Sequence, residues 1–158
     1  MKNSEKTNWD DENNVVSNNW TKFNVPEDKI FGTLTDKRQV KSSLPGKEGS
    51  MVWIYSILAQ SGSFHKLDDK KKIVEEPVEI KSGESWTVGG TAIIDRQMQN
   101  IRIGQIIGMK FVEEKPSRTK GFAPAKIIRV YAPKDETGAP LVDKEWLESN
   151  PDITYQQF

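Results

Sequence analysis

Thr91-Ala-Ile-Ile-Asp-Arg-Gln-Met-Gln-Asn-Ile101 decides how the chain is read, because the hydrophobic period changes there. Ile94, Met98 and Ile101 fall at i, i+4 and i+7, one stripe of an α-helix, and Thr91 stands after Gly89-Gly90 where an N-cap belongs. Elsewhere the apolar residues alternate or run together in short stretches, as strands do. Upstream lie Lys29-Ile-Phe-Gly-Thr-Leu-Thr-Asp-Lys-Arg-Gln-Val-Lys41, Met51-Val-Trp-Ile-Tyr-Ser-Ile-Leu58, and the pair Pro77-Val-Glu-Ile-Lys81 and Ser85-Trp-Thr-Val-Gly89, which form a third strand and its approach. Downstream lie Gly104-Gln-Ile-Ile-Gly-Met-Lys-Phe-Val112 and Ala125-Lys-Ile-Ile-Arg-Val-Tyr131. The predicted order is β-β-β-α-β-β, the succession of an OB-fold: an all-β, five-stranded, partly open Greek-key barrel with one short helix between strands three and four. SH3-like and other small barrels use similar strands, but a helix at that place in the order is not typical of them.

Composition sets the outer limits. A chain of 158 residues supports one core of ordinary size. With 35% hydrophobic and 29% charged residues, part of its length is expected to lie outside that core. We expect a disordered tail over residues 1–24, with Trp20 and Phe23 touching the domain where the tail joins it, an OB-fold domain over 25–133, and an acidic tail over 134–158. Within that last tail Asp143-Lys-Glu-Trp-Leu-Glu148 can form a turn or two of helix before Asn150-Pro151. No stretch approaches about 18 consecutive apolar residues and no secretory signal is visible, so a cytoplasmic location and no membrane partner are expected.

Cysteine is absent, His65 is the only histidine, and neither a P-loop nor a His-Glu-x-x-His motif occurs. The usual catalytic sets cannot be assembled from these residues, and we expect no enzyme, no metal and no cofactor. His65 beside Asp68 and Asp69 reads as a solvated loop rather than a metal site.

The formal net charge of zero hides a segregation: −2 over residues 1–21, +7 over 22–134 and −5 over 135–158. A cationic middle between anionic ends suggests a polyanionic partner, and a tail that competes for the same surface. In the expected order the ligand-facing loops are Ser42–Gly49 and Glu113–Pro124. Lys37, Arg38, Lys41 and Lys47 lie on or near the first, and Lys115, Arg118 and Lys120 lie in the second. Such cations neutralise phosphates, although lysine-rich loops also serve solubility. Bases of a single strand need exposed π-faces, and Trp53 and Tyr55 share one side of the second strand, with Trp86 and Phe122 as further candidates. We expect Val52, Ile54 and Leu58 to fill the barrel while the aromatic side faces outward, and assign Phe111 and Tyr131 to the core or its rim.

The segment from about Lys29 to Tyr131 resembles phage-encoded, OB-type single-stranded-DNA-binding proteins. The resemblance rests on Ser43-Leu-Pro-Gly-Lys-Glu-Gly49, Gly104-Gln-Ile-Ile-Gly-Met-Lys-Phe-Val-Glu-Glu-Lys-Pro-Ser117 and Phe122-Ala-Pro-Ala-Lys-Ile-Ile128. It implies a sequence-independent binder that protects single-stranded DNA, or RNA, during phage replication, recombination or repair in a bacterial host's cytoplasm. The ending is similar to the acidic, Phe-terminated tails of such proteins, which implies that Asp152 and Phe158 engage replication or recombination partners. Here, however, the last six residues carry no acidic side chain. The rival expectation is a small β-barrel interaction or phage structural module whose aromatic residues meet protein and not nucleic acid.

Overall fold

A computed structural model describes residues 19–41, 49–116, 121 and 124–152. It contains β1 (Lys29–Lys41), β2 (Met51–Phe64), β3 (Val78–Ile80), β4 (Ser85–Gly89), α1 (Ala92–Met98), β5 (Ile106–Lys115), β6 (Ala125–Tyr131) and α2 (Lys144–Ser149). The protein is mainly β: six strands form one open antiparallel sheet, with the expected third strand realised as the two short pieces β3 and β4.

β1 is the middle of that sheet. One edge pairs with β2 from Lys29↔Ser63 to Lys41↔Met51, and the other pairs with β5 from Lys29↔Lys110 to Thr33↔Ile106. β3 and β4 then share the far edge of β2, and β6 follows β5. Register shifts at Phe31/Gly32 and Leu34/Asp36 interrupt the β1–β2 ladder, as bulges do where a strand must bend over a core. Gly32 sits at the first of them. A Cβ there would collide with the Leu58 carbonyl oxygen and lie 2.8 Å from Ala59 Cα, so the close approach of β1 and β2 requires glycine.

The concave side holds a single core of Ile30, Leu34, Tyr55, Ile57, Phe64, Trp86, Val88, Ile107, Met109, Phe111 and Ile128, closed by Ile94 and Met98 of α1. The helix begins where its cap predicts, with Thr91 Oγ1 accepting the Ile94 amide at 3.3 Å. It docks on β6 through Gln97, whose amide donates to the Ile128 carbonyl at 2.7 Å and accepts the Val130 amide at 2.9 Å. Backbone groups on β6 that lack a neighbouring strand are satisfied in this way.

Both flanking segments contribute to the fold beyond what their polar composition predicts. Residues 19–21 form a short parallel bridge to β4, with the Thr21 amide donating to Thr87 O at 2.8 Å and the Thr87 amide to Asn19 O at 2.7 Å. After β6 the chain turns back over the convex side, where the Ile106 amide donates to Leu141 O and the Asp143 amide to Gly104 O. Asp143 both caps α2, accepting the Trp146 amide at 3.0 Å, and accepts the Thr33 hydroxyl at 2.6 Å. The expected helix near the C-terminus is therefore present, and Leu141, Asp143 and Leu147 hold this segment to Thr33, Gly104 and Ile106.

Gly32→Ala is expected to cost about 3 kcal/mol, the upper end of overpacking penalties, because backbone blocks the added methyl. Urea denaturation at an unchanged m-value provides the measurement, and stability equal to the parent's would contradict this account of the bend.

Candidate nucleic-acid interface

The structure corrects the expected orientation of β2. Tyr55 is 1% exposed and lies inside with Ile57 and Ala59. Its burial is tolerated because its hydroxyl donates to Asp95 Oδ1 at 2.6 Å in the first turn of α1; burial, then that hydrogen bond, raises its pKa. Trp86, 8% exposed, packs edge-on against Phe64 at 5.4 Å. Neither offers a face to a base. Trp53 is half-buried, stacked on Tyr55 with centroids 6.3 Å apart.

Lys37 is also corrected. Its ammonium donates to the carbonyls of Met98 at 2.7 Å and Ile101 at 2.9 Å, closing the C-terminal end of α1, where a cation is favoured by the helix dipole. Burial, and then repulsion from Arg102, lowers its pKa. Arg38 is exposed 3.6 Å from Asp36, Lys41 is exposed at the hairpin end beside exposed Met51, and Lys115 lies 3.9 Å from Glu113. Asp152 is exposed, whereas Lys47, Arg118, Lys120, Phe122 and Phe158 lie outside the described residues. The two hairpins leave opposite ends of β1. Lys41 closes one end of β1, while β5 passes the other end by five residues before reaching Lys115.

What the sheet does bring together is a different set. Directly opposed residues of an antiparallel pair share a face, about 5 Å apart. Lys29, Lys110 and Arg129 are opposed in succession on β1, β5 and β6, forming one row of cations across three strands. The adjacent row on the same convex face is Phe31, Gly108 and Tyr131. Gly108 is the floor: a Cβ there would meet Phe31 Cδ1 at 3.3 Å and Tyr131 Cβ at 3.9 Å, so the two aromatic side chains flank bare backbone. The result is a depression of about 180 Å³ lined by Lys29, Phe31, Ser61, Gly108, Lys110 and Tyr131. Tyr131, assigned from sequence to the core or its rim, is 43% exposed. One carboxylate intrudes, Glu27, 3.3 Å from Lys110.

Sequence reading missed Lys29, Phe31, Lys110, Arg129 and Tyr131 as a set. The available signal was the i, i+2 spacing of Lys29 and Phe31, Gly108 and Lys110, and Arg129 and Tyr131, but only the β1–β5–β6 register aligns these pairs into rows.

His65 does not meet Asp68 or Asp69. Its Nδ1 lies 2.7 Å from Oδ1 of buried Asp28, and Asp68 instead accepts the amides of Lys70 and Lys72. Among the described residues no three acidic, histidine or cysteine side chains converge as a metal site requires, and no helix is long and apolar enough to cross a membrane. No family model matches the chain, and neither a curated protein nor a solved structure matches it.

Lys37→Gln is expected to destabilise the fold by about 1–2 kcal/mol through removal of the charged cap on α1. It should leave the salt dependence of any oligonucleotide binding unchanged. A weakened salt slope at parental stability would return Lys37 to the interface.

Proposed function

We propose that the chain is a sequence-independent single-stranded-DNA-binding protein of OB type. The observation that carries this reading is the pair of neighbouring rows on the convex face, three cations beside two aromatic side chains on a glycine floor. A single strand presents regularly spaced phosphates and unpaired bases. The Lys29–Lys110–Arg129 row offers charge over about 10 Å, two inter-strand spacings. Phe31 and Tyr131 offer stacking surfaces alongside, and stacking tolerates any base because every base has a π-face.

The strand order is compatible with an OB barrel in which β4 and β6 are the strands that approach each other, with α1 at the seam. In this reading the protein is not an enzyme and needs no cofactor. It coats exposed DNA, or RNA, during phage replication, recombination or repair in a host cytoplasm, and its C-terminal residues around Asp152 and Phe158 recruit partners.

A second reading, a protein-interaction module without a nucleic-acid ligand, is favoured by exposed Leu67, Ile73 and Val74, which cluster on the excursion between β2 and β3. Apolar groups left on such a loop suit a protein surface better than a phosphate backbone.

Oligothymidylate titrations at several salt concentrations separate the two. Lys110→Glu and Arg129→Glu should each weaken binding and flatten the plot of log K against log salt by about 0.7 for every phosphate that is no longer neutralised. Tyr131→Ala should cost about 1–3 kcal/mol while leaving the slope in place. Parental binding in all three variants would remove the convex face as the interface, and absence of oligonucleotide binding by the unmodified protein would favour the second reading.

A further inference from the structure

The device on the convex face occurs a second time. On the other side of β6, where the segment 19–24 is bonded to β4 and to Lys126 of β6, Trp20 lies against another bare glycine: a Cβ at Gly89 would be 3.6 Å from its ring. Lys22 Nζ stands 6.0 Å from the centre of that ring, and Trp20 is 37% exposed although its backbone is fixed to Thr87. Two cavities meet at this tryptophan. One of about 540 Å³ is lined by Phe23, Ile93, Lys126 and Ile128, and one of about 450 Å³ by Phe64, Lys66 and Leu67; Trp20, Lys22 and Asn24 line both.

The two glycine-seated aromatic sites are connected through one strand. Arg129 and Tyr131 belong to the convex face, whereas Lys126 and Ile128 of β6 line the seam cavity. Arg129 and Lys126 are three residues apart, about 10 Å along a strand. Lys126 Nζ donates to Phe23 O at 2.8 Å, so a cation sits where the segment 19–24 meets β6. With Lys22 and Lys66, it gives the seam three basic residues around a partly open aromatic ring.

We propose that the groove at Trp20 is a second nucleotide station, taken by the same single strand after it leaves Tyr131 and crosses β6. This inference rests on the reading of the convex face as the first station. Its occupant is a base stacked on Trp20, with its phosphates held by Lys22, Lys66 and Lys126. The lining suits a base flanked by phosphates: an aromatic ring and aliphatic side chains stand beside three lysines. Ile93, Ile128, Phe64 and Leu67 give the groove apolar walls, Lys22, Lys66 and Lys126 give it positive charge, and it continues a track of the same chemistry.

Two stations make affinity depend on length. An oligothymidylate of about 4 nucleotides, the short end of footprints for folds of this kind, fills the convex face alone, whereas one of about 16 reaches both stations. The ratio of the two affinities, measured at one salt concentration, should fall about tenfold in Trp20→Ala, a decrease within the range of one stacked base. The same ratio should fall in Lys22→Glu, an exposed change that leaves the packing of the segment intact, and urea midpoints of both variants show whether the fold is kept. A ratio equal to the parent's in Lys22→Glu and in folded Trp20→Ala overturns the second station while the convex face stands. Loss of length dependence in Tyr131→Ala alone also overturns it, and an unmodified protein that binds neither oligonucleotide removes both stations.

Discussion

Pairing of β1 on both edges is the constraint on which the rest of the molecule depends. Thirteen residues of one strand hold β2 along their whole length and β5 along the first five, so the two halves of the sheet are fixed relative to each other by one backbone. The bend at Gly32 lets that backbone follow the core, and its alternation sends Ile30 and Leu34 inward and Lys29 and Phe31 outward. Asp28 anchors the start of this strand. Its carboxylate is 1% exposed and would be costly there alone, but it accepts the amides of Asn24 and Val25 at 2.9 Å and lies against His65. One buried charge thus joins the entering segment, β1 and the end of β2.

The order of elements was legible because it depends on local patterns. Thr91, Ile94 and Met98 specify a capped helix within a few residues of one another, and the runs of β5 and β6 are apolar on alternate positions. The inward side of β2 was not legible. Trp53, Tyr55 and Ile57 on one side and Val52, Ile54 and Leu58 on the other are both apolar sets, and hydrophobicity cannot choose between them. The choice is made by Asp95, forty residues away, which gives the Tyr55 hydroxyl a partner and makes a buried tyrosine acceptable. The role of Lys37 is hidden for a similar reason, since the carbonyls that hold it lie more than sixty residues further on.

The candidate site demanded more than element order. One cation two residues from an aromatic side chain or a glycine is ordinary in each strand taken singly, and a shift of one residue in either pairing would send the members of the rows to opposite faces. Register supplies the site, and register here follows from the inward demand of Ile30, Ile107, Met109 and Ile128 for the core. Burying those four side chains leaves Lys29, Lys110 and Arg129 outside and aligned. The same reasoning explains why Gly108 carries no side chain: it lies between Phe31 and Tyr131, on the side of β5 opposite Ile107 and Met109.

The anionic C-terminal stretch bears on how such a face could be occupied. Net charge suggests that residues 135–158 compete for the cationic surface, but part of that charge is already committed within the stretch and to β1. Asp135 accepts the hydroxyl and amide of Thr137 and the amide of Ala139, and the Thr137 bond in particular holds its pKa below the usual carboxylate range. Asp143 serves Thr33 and α2 at once. Carboxylates held in this way build the fold, and they cover the Thr33–Ile106 end of the convex face with backbone, not with loose negative charge. Competition for the Lys29–Lys110–Arg129 row therefore falls to Glu27, already beside Lys110, and to the exposed Glu136, Glu145, Glu148 and Asp152. A phosphate chain arriving at this face has to displace one surface ion pair at Lys110. An exposed pair of that kind contributes at most about 1 kcal/mol, less than one stacked base returns, so under the proposed reading the exchange of Glu27 for a phosphate leaves the sheet beneath it undisturbed.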